Sequence, residues 1–333
     1  MRFSWRLALA GLGLAYLVWR GLTADLYGLD ILMVAVVFGM YASAVDLAWG
    51  YAGILLLGSA LFFGIGAYGA GFALDRGWEP LLVYPLAMAC ASLLAVVIGF
   101  VGFRRGASQV HFGLIGLALS LVFERIAVSE ADITGGSNGL IGLPRPVLAG
   151  VVDLSNSVDL YTAVVVVVVV VVVALYLLQA SAWGDAVRAV RMDERKAASL
   201  GYDVLAIKLQ VIGLVAAVIA LAGALFTSVN GTAYPALFGI VVNMQALVWV
   251  ALGGAGTLLG PLLVATALKL TESYLSDAAL DYYQLLLGLA FVVVVVALPA
   301  GLGGVPRIAR KHAALLLDRR ARKADPARLG GRR

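Results

Sequence analysis

Charge is scarce in this chain. Only 13% of its 333 residues are Asp, Glu, Lys or Arg, about half the ~25% of an ordinary soluble domain. Hydrophobic residues make up 62%. So few charges cannot cover so much apolar surface in water, which excludes cytosolic enzymes, nucleic-acid-binding modules and disordered scaffolds. Cysteine is nearly absent: Cys90 stands alone in an apolar run, so no intrachain disulfide can form and it reads as a packing residue. The two histidines, His111 and His312, lie far apart, too few His and Cys for a typical zinc or haem site. None of the lysines (Lys196, Lys208, Lys269, Lys311, Lys323) is followed by Ser or Thr. The chain therefore has no GxxxxGK[ST] loop and is not expected to hydrolyse ATP or act as an enzyme itself.

What it has in abundance is apolar length, which makes it an all-α integral membrane protein. Ten segments read as helices: Leu7–Trp19, retained for want of a signal-peptide cleavage site, then Asp30–Trp49, Ala52–Leu74, Leu81–Phe103, Val110–Val128, Val158–Leu178, Leu209–Val229, Ala236–Leu252, Leu258–Tyr274 and Tyr283–Leu298. The valine run 164–173 is strand-like by propensity, but a lone strand in lipid leaves its backbone unsatisfied, so helix is expected. With the N-terminus in the cytoplasm, nineteen of the 24 Lys and Arg fall inside, among them Arg104, Arg188, Arg191, Arg195, Lys196, Lys208 and ten between Arg307 and Arg333. The positive-inside rule selects that orientation, with both termini cytoplasmic. All six tryptophans fall at or near predicted span ends, as in an aromatic belt. Residues 1–304 are expected to form the transmembrane domain, with a cytoplasmic loop at 179–208. Residues 305–333 are a basic cytoplasmic tail attracted to anionic membrane lipid, which requires no nucleic-acid partner.

Three places are not simply apolar. In WGYAGILLLGSALFFGIGAYGAG (49–71), seven glycines crowd one region. Two readings fit: close helix packing, or a bent element lining a pathway, with Ser59, Phe62, Phe63, Gly64, Gly66 and Tyr68 nearest to it. Its companion is the stretch Asn243–Pro261, with Gly253, Gly254 and Thr257 in GGAGTLLGP. Gly-interrupted segments in both halves point to a repeat architecture with its pathway between the halves; a re-entrant pair is the alternative. Third, Asp185–Leu200 reads as one amphipathic helix ended at Gly201. Its apolar side is Val187, Val190, Ala197 and Ala198, and its polar side Arg188, Arg191, Glu194 and Arg195. It is either a topology-setting basic loop or a rigid knob whose apolar stripe enters a partner's groove. Ionisable residues within spans are Asp46, Glu124 with Arg125, and Lys269 with Glu272, either paired structurally or placed in the pathway.

At these places the sequence resembles the LivM-type permease subunit of branched-chain amino-acid ABC importers. The glycine-rich block at 49–71 resembles the family's early block, with Ser59 where the family often has histidine. The outer loop TGGSNGLIGLP, with Thr134, Gly135, Gly136 and Asn138, resembles its TGG-x-GL-x-G block. RAVRMDERKAASLGYDVLAIKL (188–209) resembles its ATPase-coupling loop, with Glu194, Ala197, Ala198 and Gly201 at matching places, and VWVALGGAGTLLGP and LPAGLGG match as well. The resemblance covers about residues 30–304. It implies a type II-like ABC importer permease of about ten helices in the bacterial inner membrane. The implied partners are a second, LivH-type permease, two cytoplasmic ATPases and an external substrate-binding protein. ATP and Mg belong on the ATPases, with no cofactor in this chain. Branched-chain amino acids are the expected substrate. Urea or short-chain amides are the alternative within the subfamily, and an ATPase-independent secondary carrier the alternative from another class.

Overall fold

The computed structural model describes residues 25–104, 109–148, 152–154 and 156–277. The expected helices at Leu7–Trp19 and Tyr283–Leu298 and the basic tail lie outside them. Each of the eight remaining apolar segments contains a helix, as a multi-pass membrane protein requires. They are α1 (Leu26–Asp46), α2 (Ser59–Asp75), α3 (Pro80–Arg104), α4 (Gln109–Ser129), α6 (Ser157–Ala180), α9 (Val204–Asn230), α10 (Ile240–Gly253) and α11 (Leu259–Asp277). Short helices α5 (Ala131–Thr134), α7 (Ala182–Met192) and α8 (Glu194–Ser199) lie in the connections. Among the described residues, five helices, counting the π-helical extension of α1, are long and apolar enough to cross a membrane, and α2 and α10 are shorter. The valine run is helical within α6, which Asn156 caps by accepting from the Val158 N–H.

Helix α1 is the hub. It packs on α11, α9 and α6, while α9 also crosses α2 and α3. Nearly all of α1 is buried, whereas α3, α4 and α6 expose whole faces of Leu, Val and Ile. Cys90 sits on such an exposed face, not in the packed interior. A helix that is apolar all round carries no moment to tell its two faces apart, so a packing role could not be read from the run around it. Trp249 is likewise no belt residue: it is 2% exposed and packs among Phe38, Tyr41 and Lys269.

Two apolar stretches depart from the expected spans. Residues 52–58 are not helical; they run as a largely buried stretch of turns and irregular backbone to the start of α2 at Ser59. Gly113 on α4 lets this segment pass, for a Cβ there would press on the Leu55 carbonyl at 2.8 Å, and a Cβ on Gly58 would strike the Gly116 backbone. Between α9 and α10, residues 231–239 form a short strand and a 3₁₀ turn (Pro235–Phe238), so helix begins at Ile240 rather than Ala236. This stretch descends along α2: Ala233 lies by Gly71, Phe238 by Gly64, and Asn243 meets the Ala60 amide. The two non-helical stretches thus enter from opposite ends, and the helices they feed, α2 and α10, start side by side. Such backbone is tolerated at membrane depth where it is buried in protein or lines a cavity; residues 52–58 are largely buried, while in 231–239 Ala233, Pro235, Leu237 and Phe238 are buried and Tyr234 and Ala236 are exposed.

At one end of the bundle, Leu140–Ile141 pairs antiparallel with Thr232–Ala233. Arg145 there reaches Asp30 at the head of α1 and Ser157 at the head of α6. At the other end sit Arg104, α7, α8 and Lys208, the basic end.

Candidate functional site

Where α2 and α10 begin, a closed polar joint forms. The first N–H groups of a helix have no intrahelical partner. Asn243 Oδ1, from the first turn of α10, accepts from the Ala60 N–H of α2 at 2.8 Å and from Ser59 Oγ at 3.3 Å. Its Nδ2 donates to Ser120 Oγ on α4 and to the Gly239 carbonyl, both at 3.3 Å. Tyr41 on α1 joins through its hydroxyl, 2.6 Å from Ser59 Oγ. Asn243, Ser59, Ser120 and Tyr41 are all fully buried. Below lies an aromatic cluster in which Phe63 stacks on Phe38 at 5.5 Å and packs against Tyr41 and Phe226. Lys269 closes it, its Nζ 4.7 Å over the Phe38 ring and 2.9 Å from Glu272. That expected pair forms. Glu124 and Arg125, adjacent on α4, make no ion pair among the described residues, since i,i+1 side chains on a helix point apart.

The structure therefore brings Ser59 and Asn243 together from distant parts of the chain, and places Phe62, Phe63 and Tyr68 in the chain's own buried interior. Gly64 and Gly66 permit contact: a Cβ would strike the Phe238 ring at the first and the Ala220 backbone at the second. Gly253 abuts Gly260 and Pro261, Gly254 turns with φ +93°, and the Thr257 hydroxyl caps that turn on the Gly254 carbonyl at 2.7 Å. In the opposite loop, Thr134 Oγ1 donates to the Ala127 or Glu130 carbonyl, Gly135 and Gly136 take left-handed φ, and Asn138 is exposed.

The basic-end segment differs from the single helix expected over Asp185–Gly201. Asp193 is extended (φ −162°, ψ 106°) and its carboxylate accepts from the Arg195 and Lys196 N–H groups at 3.0 and 3.1 Å. It caps a second helix, so α7 and α8 meet at an angle. The apolar stripe also faces the other way. Val187, Val190 and Ala197 are buried against the chain's own bundle, and only Ala198 of the four is exposed. What projects instead is Met192, 86% exposed, and Leu200, 76% exposed. Neither lies on the stripe; an apolar residue out of phase in a basic loop was the available signal. Gly201, φ +91°, follows α8 as a left-handed terminator.

The charged side chains anchor the segment. Arg188 Nε donates to the Tyr51 hydroxyl at 2.7 Å and Nη2 to the Gln179 carbonyl at 2.9 Å. Arg191 donates to the Gly50 carbonyl. Glu194 pairs with Lys208 at 2.6 Å, and Lys208 also covers the Phe103 ring. The segment is thus braced on the bundle at three points with two bare apolar side chains at its tip. Among the described residues no cluster of His, Cys, Asp and Glu could hold a metal.

Residues 27–295 match the family model described as branched-chain amino acid transport system, permease component. The chain is 26% identical to the high-affinity branched-chain amino acid transport system permease protein LivM of Salmonella typhimurium, over 82% of this chain and 69% of that protein. To the protein of the same name from Escherichia coli it is 27% identical, with the same coverage. A solved structure, PsaBC from Streptococcus pneumoniae in complex with Fab, aligns with TM-score 0.41 and 16% identity over 85% of this chain and 93% of that one, a likeness too loose to carry anything further.

Proposed function

The chain belongs to the family of permease components of branched-chain amino-acid transport systems, and we propose that it is one permease of an ATP-driven importer that takes leucine, isoleucine and valine across the bacterial inner membrane. It pairs with a second, related permease to enclose the pathway. Two ATPases on the cytoplasmic side bind ATP and Mg, and an external binding protein delivers the substrate. The basic end, with α7 and α8, is the cytoplasmic one, as the positive-inside rule favours. The names of the two relatives support the substrate class.

One observation carries the coupling role: a braced segment at the basic end that holds Met192 and Leu200 out in water. Fully exposing two such side chains forgoes roughly 1.5–3 kcal/mol each relative to burial, a cost that docking into an ATPase groove removes. The docking face is therefore the Met192–Leu200 tip, and Val187, Val190 and Ala197 hold the segment to its own bundle. The test is to purify the complex from cells carrying Met192→Glu with Leu200→Glu. The double variant is expected to retain its sister permease and lose its ATPases. ATPase capture equal to the unaltered chain would overturn the docking role.

A further inference from the structure

The end of α1 is not α-helical. Leu47–Tyr51 forms a π-helical turn, an element that is rare and often found at functional sites. It is gripped from two sides. On one side Asp46, fully buried, accepts at Oδ1 from the Gly256 N–H at 2.6 Å and at Oδ2 from the Leu258 N–H at 2.8 Å. These amides belong to the turn between α10 and α11, in which Gly254, Gly256 and Leu258 all take positive φ. Leu258, at φ +58°, is the one non-glycine to do so among the described residues. Such backbone is strained and persists only where its surroundings hold it. Asp46 holds its amide, and Ser43 Oγ donates to its carbonyl at 3.1 Å.

On the other side is the α7 segment. Arg191 donates to the Gly50 carbonyl, and Arg188 to the Tyr51 hydroxyl. That hydroxyl donates its one proton in turn to the Gln179 or the Gly184 carbonyl, 2.8 and 3.0 Å away. Gly50 has no room for a side chain, because a Cβ would strike both the Asp46 carboxylate and the Gly256 backbone. Arg191, Gly50, Asp46 and the Gly254–Leu258 turn are therefore one continuous contact from the exposed segment to a strained turn.

We propose that Asp46, Gly50 and Arg191 form a transmission joint, through which movement of the α7–α8 segment pulls on the Gly254–Leu258 turn and shifts α10 against α11. These are positioning residues, and the proposal rests on the reading that α7–α8 docks an ATPase. The joint predicts uncoupling rather than loss of assembly. The experiment uses the complete complex of both permeases, the ATPases and the liganded binding protein, in vesicles. It measures ATPase capture, substrate uptake and ATP hydrolysed for Asp46→Asn, Arg191→Ala and Arg191→Lys.

Arg191→Ala and Asp46→Asn are expected to capture their ATPases, with the ratio of substrate moved to ATP hydrolysed falling about tenfold or more, since each removes a charge-assisted hydrogen bond. Arg191→Lys, which can still donate to the Gly50 carbonyl, is expected to recover part of the ratio. A merely structural role would lower yield and leave the ratio of the surviving complex unchanged, and that result overturns the proposal. So does wild-type coupling in Arg191→Ala, which lies in an exposed segment and decides the matter should Asp46→Asn not assemble. Absence of ATPase from the complex of the unaltered chain overturns the docking reading itself, and is visible before any variant is compared.

Discussion

Asn243 uses both ends of its amide inside a dry interior, donating to Ser120 and Gly239 and accepting from Ala60 and Ser59. Asn243→Leu would leave the Ala60 amide and the Ser59 hydroxyl short of an acceptor, each at about 1–3 kcal/mol. The purified protein is expected to melt at a distinctly lower temperature, while Cys90→Ala, on an exposed face, should melt with the unaltered chain. Equal melting of Asn243→Leu would show that the joint adds nothing. Gly66 belongs to the same scale. A Cβ there meets the Ala220 backbone, which cannot swing aside as a side chain could. Gly66→Leu should therefore cut the yield of folded chain, whereas Val170→Ala, on an open face of α6, should not. That a close approach occurs at Gly66 was legible from the crowding of glycines. Its partner on α9 was not, because a glycine run says that something comes close without saying what.

At the scale of elements, the eight described apolar helices could be read from hydropathy, and the departures lie at breaks beside two of them and in the α7–α8 segment. Residues 52–58 are as apolar as a helix. Only Gly53 and Gly58 among them hint at the irregular path, and α4 must be in place before that path is favourable. In GTAYPALFG the signals were present, Pro235 between Gly231 and Gly239, but an apolar window outweighs them when read by composition. Asp193 inside a basic helical pattern is the same kind of miss: its cap competes with the helix and wins. Asp193→Ala removes that cap and should cost about 0.5–2 kcal/mol locally. Amide exchange in 194–199 is expected to quicken while α7, held by Val187 and Val190, keeps its protection. Uniform exchange across both helices would mean that the segment is one helix after all. Gly201→Val should disturb the same stretch, since a β-branched residue does not adopt φ near +91°.

Across the described residues, the arrangement is a buried hub, two shorter helices starting side by side, and broad apolar faces on α3, α4 and α6. The composition announced that such faces exist, but not which helices carry them. The proposed orientation rests on the distribution of charge, and a single-cysteine survey in the Cys90→Ala background tests it. Ala198→Cys, at the basic end, should resist an impermeant thiol reagent in intact cells, and Ser137→Cys, in the opposite loop, should react. The reverse pattern would place α7 and α8 outside and remove any ATPase from their reach.

ATP-driven import of branched-chain amino acids is the activity proposed for this chain, and uptake by proteoliposomes is its decisive assay. The vesicles carry this chain, its sister permease and the two ATPases, with liganded binding protein on the opposite side from ATP. The expected result is uptake of leucine, isoleucine and valine that requires ATP and disappears with Met192→Glu and Leu200→Glu together. Uptake that proceeds without ATP on an ion gradient, or a complete complex that hydrolyses ATP and moves none of the three, would contradict it.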